Sequence, residues 1–259
     1  MLEIQNLKLP YGITTPIHLN LRRGEAAAIV GPNGAGKTTL MRCVSGQESP
    51  SMGSVTINGD SIQDVNGQRR AQLVGFLPQT ETRLSGFTVA EVVALGCYAR
   101  RRLFGSPSRS DDELIERSIK AVGLSELTQR QVDTLSGGEY QRVRIARTLA
   151  QSPELMLLDE PLAHLDPGQS HRTAALISNL SKQSDVTSLT ALHDLNLASL
   201  YFDRIILLNE GVLVADGDPN SVLRESLLNT VYQTRFQVIP HPSNGRPQVL
   251  GLGEGDAPS

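Results

Sequence analysis

Hydrophobic and polar positions follow two patterns along this chain, and each pattern predicts one kind of strand. Short segments near the start alternate apolar and polar residues, which is typical of strands with one exposed face. These segments are Leu2–Ile4, Leu19–Leu21 and Ser54–Ile57. Largely apolar runs indicate strands that are buried on both faces. Those runs are Ala26–Val30, Leu155–Leu158, Thr187–Leu192 and Ile205–Leu208, and a shorter strand is expected at Val74–Leu77.

Helix-forming segments separate the buried runs. They cover Thr38–Ser45, Glu139–Gln151 and Gly168–Lys182, and a further helical stretch follows Pro219 and extends through Tyr232. Strands that alternate with helices predict an α/β fold, in which helices cover both faces of a parallel sheet. The Gly/Pro-rich segment from Gly251 to Ser259 is expected to fray.

The middle of the chain, from Gly86 to Gln131, has a different composition. It favours helices over Val89–Arg101 and Asp111–Val122, joined by a Gly/Ser/Pro loop at Gly105–Ser110. We interpret this region as a helical insertion between two parts of the sheet domain.

Composition restricts the classes of function. The chain has 259 residues, of which 39% are apolar and 20% charged, and 24 basic against 27 acidic residues give a net charge of −3. This balance provides no electrostatic field that would favour nucleic acid as a partner. No apolar stretch approaches the roughly 20 residues that cross a bilayer, so a membrane-spanning segment is not expected. Cys43 and Cys97 lie far apart in sequence and are expected to be buried thiols.

The strongest local motif is Gly31-Pro32-Asn33-Gly34-Ala35-Gly36-Lys37-Thr38, which follows a buried strand and opens a helix. In this context the G-x-x-x-x-G-K-[ST] pattern predicts a phosphate-binding loop, because its glycines let backbone N–H groups turn toward phosphate oxygens. We expect the Lys37 ammonium to reach the β- and γ-phosphates and the Thr38 hydroxyl to ligate Mg²⁺. Chance would produce the pattern in roughly one chain in a hundred of this length, given usual glycine frequencies.

Two carboxylates, Asp159 and Glu160, follow the buried run Leu155–Leu158. The carboxyl end of a parallel strand is where ligands bind in open α/β sheets. Asp159 is placed to hold Mg²⁺, and Glu160 can polarise an attacking water as a general base. The pair is a weak signal alone, but together with the phosphate-binding loop it predicts a nucleoside triphosphatase.

The segment Leu135-Ser136-Gly137-Gly138-Glu139 allows two interpretations. Ser136 and Glu139 fit a capping box at the start of a helix. That interpretation leaves Gly137 and Gly138 unexplained, because glycine is a poor residue in a first turn. Two glycines at a helix N-terminus would instead suit a second anion site. A head-to-tail dimer, in which each subunit closes the nucleotide site of the other, would use both sites.

These motifs make the chain resemble the ATP-binding-cassette (ABC) ATPases. Gly31–Thr38 matches their Walker A motif, Leu155–Glu160 their Walker B motif with its catalytic glutamate, and Leu135–Glu139 their signature motif. The other matches are Gln79 with the Q-loop glutamine, Leu165-Asp166 with the end of the D-loop, and His193 with the switch histidine. The six elements occur in the family's order and span nearly the whole chain.

The resemblance implies a P-loop NTPase (RecA-like) fold with an inserted helical subdomain and an antiparallel β subdomain. On this basis residues 1–259 form a single ABC ATPase domain. Residues 1–85 and 149–220 would form the nucleotide-binding α/β core, and residues 86–148 the helical subdomain with the signature motif. Residues 221–259 would form a C-terminal helix and tail.

A role for each matched residue also follows from the resemblance. The residues implied in catalysis of ATP hydrolysis are Glu160, His193 and Gln79, and those implied in holding Mg²⁺ are Thr38, Gln79 and Asp159. ATP would contact the whole Walker A motif with Thr39 and Asp159, and Tyr11 would stack on adenine. Ser136, Gly137 and Gly138 would contact the nucleotide of a second, identical subunit.

Three further segments are similar to those in ATPases of metal-chelate importers. They are Val89–Tyr98, Leu192–Ala198 and His241–Pro247. This similarity implies an ATPase that works as a homodimer with two membrane permease subunits and, indirectly, with a substrate-binding protein. The cargo would be a ferric siderophore, haem or cobalamin. The protein would be peripheral, at the cytoplasmic face of the inner (plasma) membrane.

Other functions remain open at this point. The chain could be an ABC ATPase for another cargo, and only those three segments argue against this alternative. A non-transport ABC ATPase acting on ribosomes or DNA usually carries two cassettes, a coiled-coil insertion or a basic tail, and the sequence has none of these. A different nucleotide enzyme, a GTPase or a small-molecule kinase, is the remaining alternative. A GTPase would be expected to carry an N-K-x-D guanine reader, and no Asn in the sequence is followed by Lys.

Overall fold

The computed structural model describes residues 1–11, 15–100, 109–184 and 186–252. Its strands are β1 (Leu2–Lys8), β2 (Ile17–Leu21), β3 (Ala26–Val30), β4 (Met52–Ile57), β5 (Asp60–Ser61), β6 (Val74–Leu77), β7 (Leu155–Asp159), β8 (Thr187–Ala191), β9 (Arg204–Asn209), β10 (Val212–Gly217), β11 (Phe236–Pro240) and β12 (Pro247–Gly251). Its α-helices are α1 (Lys37–Val44), α2 (Gly67–Leu73), α3 (Val89–Ala94), α4 (Arg109–Ala121), α5 (Gly137–Ala150), α6 (Pro167–Ser184), α7 (Leu195–Tyr201), α8 (Pro219–Val222) and α9 (Glu225–Tyr232).

A central sheet with the strand order β10-β9-β3-β8-β7-β6 confirms the predicted α/β fold. Strands β9, β3, β8, β7 and β6 pair in parallel, and β10 pairs antiparallel with β9. Alternate residues of β3 face opposite sides of this sheet. Ala28 and Val30 belong to one buried cluster, whereas Ala27 and Ile29 belong to another. Because both faces are covered, these strands read as apolar runs in the sequence.

A second sheet, antiparallel with the order β2-β1-β4-β5, forms from the alternating segments at the start of the chain. In β1, Leu2 and Ile4 are almost fully buried while Glu3 and Gln5 are exposed. The buried face belongs to the same cluster as helix α1 and the Ala27 side of β3. The antiparallel β layer implied by the resemblance is therefore present.

Helices α3, α4 and α5 pack together in the middle region. The prediction of one helix over Val89–Arg101 is wrong in its second half, since the chain tightens into a 3₁₀ segment at Leu95–Arg100. Its backbone approaches α5 so closely that a Cβ on Gly96 would lie 2.1 Å from the carbonyl oxygen of Arg147. The loop predicted at Gly105–Ser110 lies mostly outside the described residues, which resume at Arg109.

The C-terminal prediction also needs correction. The helical stretch through Tyr232 is two helices, because Leu223 leaves helical conformation and is buried in the core. Beyond them, β11 and β12 form an antiparallel hairpin that the sequence reading placed in a C-terminal tail. Residues 253–259, where fraying is predicted, lie outside the described part of the chain.

One further expectation, that of buried thiols, is confirmed. Cys43 and Cys97 are buried thiols that form no disulfide with each other. Within the described residues, no helix combines the length and the apolar character that a membrane crossing requires.

Candidate nucleotide-binding site

The phosphate-binding loop connects β3 to α1 at the carboxyl edge of the central sheet. Gly36 precedes the helix in left-handed conformation, with φ 96°, and among the described residues no side chain caps the helix start. The first backbone N–H groups of α1 therefore lack a side-chain partner, and the helix dipole favours an anion there. The Lys37 side chain folds back along the loop, where its Nζ donates to the carbonyl oxygens of Gly31 at 2.7 Å and Pro32 at 3.1 Å.

Thr38 and Asp159 meet although 121 residues separate them in sequence. The Thr38 hydroxyl donates to Oδ1 of Asp159 over 3.2 Å. Strand β7 is parallel to its neighbours and ends at Asp159, so the carboxylate reaches the same sheet edge as the start of α1. A hydroxyl and a carboxylate are the hard oxygen ligands that Mg²⁺ prefers, so the residues present fit this ion.

Glu160 brings together the two other residues predicted to act in catalysis. Its Oε2 accepts a hydrogen bond from Nε2 of Gln79 at 2.5 Å, and its Oε1 contacts Nε2 of His193. Glu160 has φ 50°, a left-handed conformation that is uncommon for a residue other than glycine. Such backbone strain, of order 1–3 kcal/mol, clusters at functional sites.

One cavity of about 420 Å³ joins these groups. Its lining residues are Asn33, Gly34, Ala35, Gly36, Lys37, Thr38, Thr39, Gln79, Glu160 and His193. The structure thus places residues of the Walker A motif, Gln79 and His193 around one cavity with Glu160. Asp159 does not line the cavity but is hydrogen-bonded to Thr38, which does.

Burial favours the neutral forms of Lys37 and Asp159. Burial lowers the pKa of the Lys37 ammonium, and the negative charges of Glu160 and Asp159 raise it in part. For Asp159, burial raises the pKa, the Thr38 hydrogen bond opposes this rise, and the charge of Glu160 adds to it. Both side chains are at most 5% exposed, so they are poorly solvated without a ligand. Polyphosphate and a divalent cation would supply the missing opposite charges.

The signature segment lies outside this cavity. Ser136 caps α5 and forms the complete capping box with Glu139, which accepts hydrogen bonds from the Ser136 backbone N–H and hydroxyl at 2.8 Å each. A Cβ on Gly138 would lie 2.4 Å from Oε1 of Gln169, the far end of a flexible side chain that can move aside. A Cβ on Gly137 would meet open space, and Ser136 and Gly137 are exposed. Packing therefore requires glycine at neither position, and the exposed Ser136 and Gly137 remain available to a partner.

Tyr11 is 71% exposed and stands apart from the residues that line the cavity. Its hydroxyl is hydrogen-bonded to the Glu48 carboxylate, which raises the pKa of the phenol. Its stacking on adenine stays a prediction.

Sequence reasoning missed the side chains that attach the segment after Gln79 to helix α5. Glu81 lies between Arg144 and Arg147, and Arg144 also donates through Nη2 to the carbonyl oxygen of Pro78 at 2.5 Å. The spacing of the two arginines, three residues apart on a predicted helix, indicates a shared face. Their common partner, more than 60 residues earlier in sequence, gives no local signal.

Arg83 makes a second attachment of the same segment. Its Nη1 donates to the carbonyl oxygens of Val132 and Leu135, at 3.3 and 3.2 Å. Its guanidinium also lies 4.4 Å from the centre of the Tyr140 ring, in cation–π geometry. Leu135 directly precedes Ser136, so the segment after Gln79 is bonded to the start of the signature motif.

Comparison with known proteins agrees with this geometry. The profile of the ABC transporter family matches residues 14–163. The ferric enterobactin transport ATP-binding protein FepC of Escherichia coli (strain K12) is 37% identical over 258 residues, covering 98% of this chain and 95% of that protein. The hemin import ATP-binding protein HmuV of Gloeobacter violaceus is 39% identical over 244 residues, covering 92% and 88%.

A solved structure supports the same assignment. An ATP-binding cassette in a dimeric post-hydrolysis state, bound to ADP and Pi, superposes with a TM-score of 0.72 at 27% identity, covering 84% of this chain and 98% of that one. The family profile covers more than half of the chain, and both relatives match nearly its whole length. The chain therefore belongs to the ABC transporter family.

Proposed function

We propose that this chain is the ATP-hydrolysing subunit that energises import of a metal chelate through separate membrane permease subunits. The observation that supports the hydrolytic role is the meeting of Lys37, Glu160 and His193 at one cavity, with Gln79 bonded to Glu160. Lys37 and Glu160 carry opposite charges. This suits a site that binds polyphosphate on one side and activates water on the other.

In this proposal the groups around the cavity divide the work. Lys37 and the backbone N–H groups at the start of α1 bind the β- and γ-phosphates. The Glu160 carboxylate accepts a proton from water as the water oxygen bonds to the γ-phosphorus and the bond to ADP breaks. Gln79 and His193 orient the carboxylate and the γ-phosphate. Mg²⁺, held by Thr38 and Asp159 with Gln79 nearby, would neutralise phosphate charge when bound.

We further propose that two copies of the chain close on two ATP molecules. Ser136 and Gly137 are exposed and lie outside the cavity of their own subunit, so they are available to a nucleotide held by another copy. The dimeric cassette with bound ADP and Pi supports this arrangement by similarity. Because two nucleotides would bind the closed dimer better than the open one, ATP would shift the population toward closure.

The cargo proposal rests on the relatives. Their names describe a ferric enterobactin transport protein and a hemin import protein, and both are similar to this chain over nearly its full length. We extend that class to ferric siderophores, haem and cobalamin as candidate cargoes. The chain would then act as a peripheral subunit at the cytoplasmic face of the inner membrane, with two permease subunits and, indirectly, a substrate-binding protein.

Uptake measurements test this proposal. Cells that lack the chain would be given labelled haem, ferric siderophore and cobalamin, and complemented with the wild-type chain or with Glu160→Gln. We expect uptake of one of the three to be lost, restored by the wild type and not restored by Glu160→Gln. Normal uptake of all three in the deleted strain would contradict the proposed cargo class. Equal rescue by both forms would contradict the hydrolytic role of Glu160.

A further inference from the structure

The C-terminal hairpin is bonded side by side to helix α7. Asn196, in the first turn of α7, makes two hydrogen bonds with the backbone of Val249 in β12: Nδ2 donates to the carbonyl oxygen at 3.2 Å, and Oδ1 accepts from the N–H at 2.7 Å. The Asn196 amide therefore pairs with Val249 as a neighbouring strand would. The segments Leu192–Ala198 and His241–Pro247, both similar to those of metal-chelate importers, lead into this contact.

Arg246, at the end of the hairpin turn, holds the other end of α7. Its Nη1 donates to the carbonyl oxygens of Ser199 at 2.7 Å and Phe202 at 2.9 Å, and its Nη2 contacts the Asp203 carboxylate. In return, the Ser199 hydroxyl donates to the carbonyl oxygen of Pro247 at 2.6 Å. The last carbonyl groups of a helix lack partners within the helix, and a cation there is favoured by the helix dipole. Both ends of this short helix are thus bonded to the hairpin.

Helix α7 begins immediately after His193. Asp194 caps the helix and accepts hydrogen bonds from the backbone N–H groups of Asn196 at 2.8 Å and Leu197 at 3.0 Å. Asn196 is therefore held by its backbone to the cap and by its side chain to the hairpin. It lies three positions after His193, whose imidazole contacts Glu160. A displacement of the first turn of α7 would displace the imidazole with it.

The same C-terminal unit also reaches the phosphate-binding loop. The β11 strand is tied to helix α9 by hydrogen bonds of 2.7 Å from the Val238 N–H to Glu225 and from the Phe236 N–H to Asn229. The Phe236 ring packs edge-on against Tyr232, the last residue of α9, at 5.8 Å between centroids. The Tyr232 hydroxyl is buried near the backbone N–H of Gly31 and has no hydrogen-bond partner among the described residues. The hairpin is thus bonded to helix α7, which follows the switch histidine, and to helix α9, which ends near the first glycine of the loop.

We propose that the β11–β12 hairpin is a positioning element for His193, acting through Arg246 and Asn196 on helix α7. The inference rests on the proposed function in so far as His193 is taken to face the γ-phosphate. Arg246 and Asn196 are positioning residues, since they touch neither the cavity nor Glu160 in the described structure.

Steady-state ATP hydrolysis by the purified full chain tests the proposal. We expect Arg246→Ala to lower kcat about tenfold while the KM for ATP stays within about twofold, because misplacing a catalytic group costs rate more than ground-state binding. Arg246→Lys, which keeps the cation at the helix end, should recover part of the loss. The matched control is Arg69→Ala, which removes another arginine–aspartate pair, that of Arg69 with Asp60. A kcat equal to that of the control would overturn the proposal.

A second arm separates positioning from general weakening of the fold. In a His193→Ala background, Arg246→Ala should change kcat no further, since the group that it positions is gone. An equal fall in both backgrounds would show a merely structural role. Asn196→Ala repeats the test if Arg246→Ala does not fold, and its expected pattern is the same.

Histidine ring NMR distinguishes failure of this inference from failure of the proposed function. The chain has five histidines, and the signal that disappears in His193→Ala identifies the ring. We expect that signal to move in Arg246→Ala and to stay in place in Arg69→Ala, even if the wild-type chain hydrolyses no ATP. An unmoved His193 signal in Arg246→Ala would overturn the positioning role, whatever the ATPase activity of the wild type.

Discussion

Arg147 donates two hydrogen bonds to the carboxylate of Glu81, from Nη1 to Oε1 at 2.5 Å and from Nη2 to Oε2 at 2.7 Å. This bidentate pair joins the segment that follows Gln79 to helix α5, which begins at the signature motif. Burial raises the pKa of Glu81, but hydrogen bonds and charges from Arg147 and Arg144 outweigh it and hold the pKa below its usual value. Gln79, which is bonded to Glu160, is therefore linked through Glu81 and helix α5 to Ser136 and Gly137, which are predicted to contact a partner's nucleotide.

Glu81→Gln should lower the free energy of unfolding by about 1–2 kcal/mol at pH 7, because it leaves two partly buried guanidinium groups without their carboxylate. A lowered folded pKa stabilises the protein above the ordinary glutamate pKa, and this stabilisation is lost as the pH falls through the folded value. The difference between wild type and variant in denaturant unfolding should therefore shrink as the pH is lowered below about 4. The control is Glu113→Gln, which breaks an exposed pair with Arg109. A difference that stays constant with pH would contradict this account.

Lys37→Ala should abolish ATP hydrolysis and weaken ATP binding, since it removes the positive charge from the predicted phosphate site. Its effect on folding should be small, within about 1 kcal/mol, because burial already disfavours the charged ammonium in the empty site. Nucleotide titration and thermal unfolding measure the two effects separately. Lys120→Ala, at an exposed position of α4, should match the wild type in both assays. Unchanged turnover in Lys37→Ala would exclude the site.

Glu160→Gln should bind ATP and hydrolyse it at least about 10²-fold more slowly, because an amide cannot accept the proton of the attacking water. Since the nucleotide then persists, this variant should accumulate an ATP-bound dimer, seen as a doubled mass in gel filtration with ATP and Mg²⁺. Glu126→Gln, on the surface of the helical region, serves as the control. Turnover at the wild-type rate would show that Glu160 is not the base.

The exposed loop from Thr80 to Phe87, with part of Val89–Arg101, is predicted to contact a membrane subunit. Leu84 packs against the buried cluster of the helical region, whereas Phe87 is 43% exposed. Thr82→Glu places a charge on this surface and should reduce chelate uptake while leaving ATP hydrolysis by the isolated chain within about twofold, since an exposed substitution away from the site rarely disturbs the fold.

Ser54→Glu places the same charge on an exposed position of β4, in the other sheet, and should leave uptake unchanged. Cysteine pairs between the Thr80–Phe87 loop and a cytoplasmic loop of the permease should form crosslinks. Absence of crosslinks at every position, or a parallel loss of uptake and ATPase activity in Thr82→Glu, would contradict the docking prediction.

Alkaline unfolding tests the environment of Tyr232. Burial raises the pKa of this phenol to about 12, and the Gly31 N–H opposes the rise. A raised pKa means that its contribution to stability is complete below pH 10 and is lost as the pH rises toward 12, because the unfolded chain ionises first. Wild type should therefore lose up to about 2 kcal/mol more than Tyr232→Phe over this interval. Tyr98→Phe, at a 61% exposed tyrosine, should behave as the wild type.

Local sequence determined the parts of this protein that depend on neighbouring residues. The strand Ala26–Val30, the loop Gly31–Thr38 and the helix after it could be predicted together, because burial, glycine conformation and helix start are all encoded within 20 residues. The capping box of Ser136 and Glu139 could be predicted for the same reason, since its partners are three residues apart.

Tertiary structure decided what depends on contacts between distant segments. The hairpin of β11 and β12 forms where α7 and α9 offer hydrogen-bond partners, whereas the sequence alone led us to place residues 221–259 in a C-terminal helix and tail. In the 3₁₀ segment after Ala94, the Gly96 backbone packs directly against Arg147 of α5. Glu81 and Arg147 pair across 66 residues of sequence. The local sequence shows which residues favour a helix or a strand and which are polar. It does not show these long-range contacts, because they stabilise the protein only after the fold has brought the distant partners together.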